Sequence, residues 1–483
     1  MDGPQEKNIV IIGGGIIGCT TAYFLTRHPK FNPSLHKITL LEASSIAAGA
    51  SGKAGGLLAL WAYPECLVPL SYRLHKELAE EHGGPQKWGY RRLGCGTIAA
   101  SVKDADLKGR NAATQRAHAK TTEPAPAMTA LDANGQGDGH GDGHGDGNGA
   151  ATQPPTEPTT ADSKVENGET KADGEDKEWE KLPKQDVAAT SLLADSPLPS
   201  DLDWIDPKLV QYYEEMGRRG ETETAQVHPY HFTTSIAELA RSAGVDIRTG
   251  ARVTRWASSK DDGTKTVEYE DREHEGAARM INGVTDVIVT AGPWTGKLLP
   301  RSKVEGLRAH SVVYEADVSP HAVFTDIALP SDYVPEHRER MGQKRKHRGN
   351  VDPEIYARPF GEVYACGEPD KNVPLPDTAD QVQCDEAQCD DLVAYIGTIS
   401  PQLAAAPVKA KQACYLPRHM RFGEERGPLI GLTSTPGVWI AAGHTCWGIQ
   451  NGPGTGCLMA ELLFDGEARS ADVEVLDPKK FKV

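Results

Sequence analysis

Three glycines set between an apolar run and a helix-forming stretch constrain this chain more than any other feature. Val10, Ile11 and Ile12 are continuously apolar, and Gly13, Gly15 and Gly18 follow at once. A second apolar run, Ile38 to Leu41, ends in the acid Glu42. Strands that read this way belong to parallel sheets covered by helices on both faces. Gly13 permits the tight turn, Gly15 lets the backbone approach a pyrophosphate, and Gly18 lets the helix pack against the sheet. The free N–H groups at the helix start favour a negative group. Glu42 is placed to accept hydrogen bonds from an adenosine ribose, and its charge disfavours a 2′-phosphate. An α/β core that holds an adenine dinucleotide is therefore expected, and NADP is disfavoured.

Three further turns extend this surface. Ser44 to Leu57 is a long run of small residues, with Ser51, Gly52, Gly55 and Gly56 exposing backbone donors and Lys53 among them. Val287 to Thr290 is a buried strand that ends in Thr290, Ala291, Gly292, Pro293 and Trp294. Val438 to Ala442 is another, running into Gly443, His444, Thr445, Cys446, Trp447, Gly448 and Ile449. A helix is expected from Cys457 to Phe464. This last glycine turn comes far too late to belong to the first βαβ unit, so it implies a ligand held along its whole length.

Composition bounds the rest. A chain of 483 residues suggests two domains. The formal charge of −16 argues against nucleic acid and against an anionic membrane surface. No apolar run is long enough to span a bilayer. The nine cysteines have no framework spacing, which fits a reducing compartment, with the cytosol as the expected location. Residues 108–199 change character: Gly, Asp, His, Pro, Thr and Lys abound, and aromatic residues nearly vanish. Such a segment is expected to be a disordered insertion in a surface loop. No metal site is expected, although His140 and His144 alternate there with aspartates.

In the second half, Pro207 to Gly217 and His228 to Gly244 are expected as helices, the second on the period of Phe232, Ile236 and Leu239. Gly306 to Glu315 and Ile355 to Gly367 read as strands of a separate antiparallel sheet. Tyr356 and Arg358 share one face by the strand period. Arg358 is the candidate anchor for a substrate carboxylate, with Arg418 second, and Tyr356 lines the pocket. Trp88 to Ala100 reads as strand material and Leu67 to His82 as a helix.

Taken in order, these motifs resemble the FAD-dependent amino-acid and amine oxidase family that includes D-amino-acid oxidase, glycine oxidase and sarcosine oxidase. The motifs are the first glycine fingerprint, the Gly49 to Gly52 stretch, the His228–Pro229 turn, the Thr290 to Trp294 turn, the Tyr356 to Pro359 strand and the Gly443–His444 loop. The ending from Gly443 to Gly448 is most similar to a fungal oxidoreductase group, one member of which has been linked to late-endosome-to-Golgi transport. The resemblance implies an FAD-binding Rossmann-like βαβ domain and a second α+β substrate domain. It implies FAD contacts at Gly13, Gly15, Ile16, Gly18, Glu42, Ala43, Ser51, Gly52, Gly55, Gly56, Val253, Ala291, Gly292, Trp294, Gly443, His444, Trp447, Gly448 and Ile449. Cys414 stands where some relatives attach the flavin covalently. Catalytic roles are expected for Arg358, Tyr356, Trp447 and His444. The sarcosine oxidase group has a lysine in the final loop, where this chain has Trp447.

The expected layout is 1–100 and 421–483 in the FAD-binding domain, 108–199 inserted, 200–305 shared, and 306–420 mainly in the substrate domain. The expected activity is oxidation of a C–N bond in a small amine or amino acid, with oxygen or another electron acceptor. The alternative is an FAD-binding protein with weak or no catalysis that serves endosome-to-Golgi transport. It would have a trafficking partner and a cytoplasmic location associated with late endosomes.

Overall fold

In the computed structural model, which describes residues 6–108, 197–217, 223–260 and 262–483, the first strand Lys7–Ile12 lies inside a six-stranded sheet. The order is Leu429–Leu432, Val438–Ala442, Asp286–Val289, Lys7–Ile12, His36–Leu41, Asp246–Arg248. All neighbours are parallel except the first pair. The apolar run of the first strand is explained by its two faces. Ile9 and Ile11 pack with the helices Ile16–Arg27, Val68–His82, Pro229–Ser242 and Gly448–Asp465. Val10 and Ile12 pack against Val267 and Tyr269 of a three-stranded antiparallel sheet, Ala251–Ser258, Lys265–Asp271 and Ala277–Val284.

An eight-stranded sheet forms the second layer system, in the order Glu424–Arg426, Val408–Arg421, Val304–Glu315, Glu362–Cys366, Glu354–Arg358, His321–Ala328, Gly94–Ser101, Val210–Glu215. It is antiparallel except for the pairing of His321–Ala328 with Gly94–Ser101. One face carries Val312, Val323, Ile355 and Val363 against Leu392 and Ile396 of the helix Glu386–Gly397. Val313, Ala322, Tyr356 and Tyr364, displaced by one residue from those positions, form the opposite face with Leu57 and Trp447. The expected α/β class with a second sheet-based domain is what is observed.

Three local expectations need correction. Residues Val210–Glu215 are a strand, not a helix: Tyr212 and Tyr213 are strand formers, and pairing with Gly94–Ser101 decides the matter. Trp88 ends a short helix, Gly84–Trp88, before the strands begin. The final helix is Gly448–Asp465, starting nine residues before the expected Cys457. The expected insertion at 108–199, with its His–Asp repeat, lies outside the described residues except at its ends. No helix among the described residues is long and apolar enough to cross a membrane.

Candidate active site

A cleft of about 590 Å³ runs along the carboxyl ends of the parallel strands and continues onto the free face of the eight-stranded sheet. Ligands bind at such strand ends in open α/β sheets. Its first stretch is walled by Gly13, Gly15, Ile16, Glu42, Ala43, Ser51 and Val253. The helix Ile16–Arg27 starts here with no side-chain cap on Gly15 and no acid in its first turn. Ser51 Oγ accepts the Ile16 N–H at 2.9 Å. Glu42 is held by the Gly14 N–H at 2.8 Å and by the Ser44 N–H and hydroxyl at 2.8 and 2.9 Å. The glycines are required by space. Gly13 has φ +115°, and a Cβ there would stand 2.5 Å from the Thr290 carbonyl oxygen. A Cβ on Gly55 would stand 2.7 Å from the Tyr356 ring.

The middle and far stretches are walled by Gly55, Gly56, Ala291, Gly292, Trp294, Cys414, Gly443, His444, Trp447, Gly448 and Ile449, together with Phe324, Glu354, Tyr356, Tyr364 and Cys366. Gly443 has φ +94° and Thr445 φ +52°, which turn the chain into the final helix. His444 Nε2 lies 2.9 Å from Thr455 Oγ1, and burial pushes the imidazole down to about 3. It is therefore neutral at physiological pH and ties the loop to the final helix while remaining on the cleft wall. Burial pushes the Cys414 thiol up to about 11, opposed by Lys53, so it stands as a thiol.

Arg358 requires the largest correction. It is 4% exposed and is not on the cleft wall. Its guanidinium donates to the Ala54 carbonyl and, at 3.3 Å, to Glu362, and it lies 4.6 Å over the Tyr364 ring. It braces the sheet to the small-residue loop from behind the cleft wall. Arg418, the second candidate, pairs with Glu305 at 2.7 Å, again off the cleft. Gly18 and Gly52 also leave the wall: a Cβ would stand 1.9 Å from the Gly13 oxygen in one case and 2.2 Å from the Ala47 oxygen in the other. They permit packing behind the cleft.

Glu354 was missed by sequence reasoning. It lies two residues before Tyr356 and four before Arg358, so the period that joined those two also places Glu354 on their face. The register pairs Glu354 with Cys366, Tyr356 with Tyr364 and Arg358 with Glu362 across neighbouring strands. On the other side Phe324 is opposite Glu354. The Tyr356 hydroxyl donates to Glu354 Oε2, and Cys366 Sγ lies 3.7 Å from the same oxygen. Burial pushes the Glu354 carboxyl up, against the pull of those two donors.

The cleft fits a dinucleotide with a flat reactive end: an acid at one end, glycine-lined backbone between, and rings at the other. A family model described as FAD dependent oxidoreductase (DAO) matches residues 8–147 and 170–462.

The chain belongs to the DAO family of FAD dependent oxidoreductases.

Among its relatives is the protein named putative oxidoreductase TDA3, of Saccharomyces cerevisiae. The two are 35% identical over 519 residues, covering 99% of this chain and 95% of that one. A second, named putative oxidoreductase C1F5.03c, of Schizosaccharomyces pombe, is 30% identical over 98% of both chains. Among solved structures, glycine oxidase from Geobacillus kaustophilus superposes with TM-score 0.58 at 17% identity, over 98% of each chain. L-proline dehydrogenase from P. horikoshii gives 0.58 at 16%, over 99% of this chain and 98% of that one. These structural likenesses show that the DAO fold is shared.

Proposed function

We propose that this FAD-dependent oxidoreductase oxidises a C–N bond of a small amine or amino acid. The observation that carries the reading is the single cleft that joins the glycine-lined strand ends to the ring-lined face of the second sheet. FAD bound there supplies a two-electron acceptor for a hydride. Gly13, Gly15, Ile16 and Ser51 would hold its pyrophosphate and Glu42 its ribose, while the helix-start N–H groups of Gly448 and Ile449 would face the flavin end. Trp447, Phe324 and Tyr356 exclude water and orient the carbon that bears the nitrogen. That carbon loses a hydride, the nitrogen loses a proton, and water then hydrolyses the imine. Oxygen or another acceptor takes the electrons onward.

Anaerobic mixing of the purified flavoprotein with amines and amino acids tests this reading. Bleaching of the flavin absorption band with at least one C–N substrate is expected; no bleaching across the panel would sink the proposal. A second reading takes weak catalysis from the engagement of Arg358 with Ala54 and Glu362, and its transport role from the sequence resemblance alone. In it the chain binds FAD with little or no catalysis and serves late-endosome-to-Golgi transport from the cytoplasm with a protein partner. It expects bound flavin, no bleaching, and recovery of the tagged chain with late endosomes.

A further inference from the structure

We infer that the ring-lined end of the cleft recognises its substrate by positive charge, with Glu354 as the specificity-determining residue for an alkylammonium that needs no carboxylate. The inference rests on the amine-oxidising reading above and narrows its substrate class. Among the described residues Glu354 has no ion-pair partner, and both of its hydrogen bonds reach Oε2. A half-buried carboxylate without a cation is costly to keep charged. A ligand ammonium would supply what the protein does not.

The walls around it suit the same ligand. Phe324, Tyr356, Tyr364 and Trp447 line the cleft with Glu354. Phe324 is edge-on to Tyr356 at 6.0 Å and to Trp61 at 6.1 Å, and Trp61 is edge-on to Trp447 at 5.6 Å. Ring faces attract cations and accept alkyl chains. A substrate carboxylate finds little here. Arg358 and Arg418 are off the wall, as described. Arg252 and Lys297 line the cleft beside Val253 and Trp294 and pair with Glu270 and Asp377. Lys53 remains, with its ammonium 3.0 Å from the Ala413 carbonyl oxygen.

The test is calorimetric binding of n-butylamine, putrescine, norvaline and valerate to the flavin-loaded protein, with anaerobic flavin bleaching on the same samples. Butylamine or putrescine should bind at least tenfold more tightly than norvaline, and valerate should not bind. Glu354→Gln should weaken amine binding by about 100-fold, the scale of a lost partner in a desolvated charge pair. Glu354→Asp should recover part of it. Tighter binding of norvaline or valerate than of butylamine, equal binding of all four, or no binding at all would overturn the inference, as would unchanged amine affinity in a folded Glu354→Gln. The wild-type comparison stands even if that variant does not fold. Bleaching by amino acids but not by amines would overturn this inference and leave C–N oxidation intact. Bleaching by nothing would remove the parent reading.

Discussion

Some glycines of this chain stand where a Cβ would overlap a neighbouring atom, and others do not. A Cβ on Gly456 would stand 2.5 Å from the Thr20 backbone carbonyl carbon, so the helices Gly448–Asp465 and Ile16–Arg27 touch through it. On Gly397 the nearest atom would be Ala404 Cβ at 3.5 Å. Gly456→Ala should therefore cost about 1–3 kcal/mol by overpacking. Gly397→Ala should change stability by less than about 1 kcal/mol, in the stabilising direction that helix propensity favours. Urea unfolding of the two variants gives the comparison. Charge acts on the same scale at Glu362. Burial alone would raise its carboxyl, but His228 at 3.1 Å, Lys409 at 2.8 Å and Arg358 hold it down to about 2, from an ordinary 4.5. A depressed carboxylate contributes stability above its unfolded value and loses it as pH falls through the folded one. Thermal stability should therefore decline from about pH 4.5 toward 2, with a shallower slope in Glu362→Gln. A slope unchanged in that variant would remove Glu362 as its source.

Among the elements, the final helix shows how packing overrides propensity. Gly448, Gly452, Gly454, Gly456 and Pro453 all argue against a helix before Cys457, yet it begins at Gly448. A Cβ on Gly452 would stand 2.6 Å from the Ile16 side chain, and one on Gly454 2.2 Å from Ser71 Oγ. The glycines that weaken the helix locally are thus what lets it dock. Pro453 has no N–H for the Ile449 carbonyl, and His75 Nε2 fills the gap at 2.9 Å. Burial pushes His75 down to about 4, so a neutral imidazole donates. His75→Leu should leave that buried carbonyl without its donor and cost about 1–3 kcal/mol, measured by denaturant unfolding. The same change should raise the hydrogen-exchange rate at the start of the helix. Strand Val210–Glu215 makes the complementary point: its short pattern of tyrosines and glutamates fits either element, and only its pairing with Gly94–Ser101 chooses.

For the whole molecule, a cleft shared by two sheets couples ligand binding to folding. FAD spanning from Glu42 to Trp447 would touch elements separated by almost the full length of the chain. Stripping the flavin should lower the melting temperature. Restoring free FAD to 100 times its Kd should return about 2.7 kcal/mol of stability. A melting curve unmoved by FAD would contradict the placement of the cofactor across both sheets. The sequence by itself determined the dinucleotide end of this site, because Gly13, Gly15 and Glu42 act through backbone and short-range geometry that neighbouring residues impose. It also determined that Tyr356 and Arg358 share a face, because strand periodicity is local. Only the tertiary structure decided that Arg358 turns to Ala54 and Glu362, that Gly52 serves packing, and that Glu354 faces the cleft with no ion-pair partner among the described residues. Those outcomes depend on which side chains distant strands bring alongside, and a carboxylate's partners are set by distances through space that its sequence neighbours do not encode.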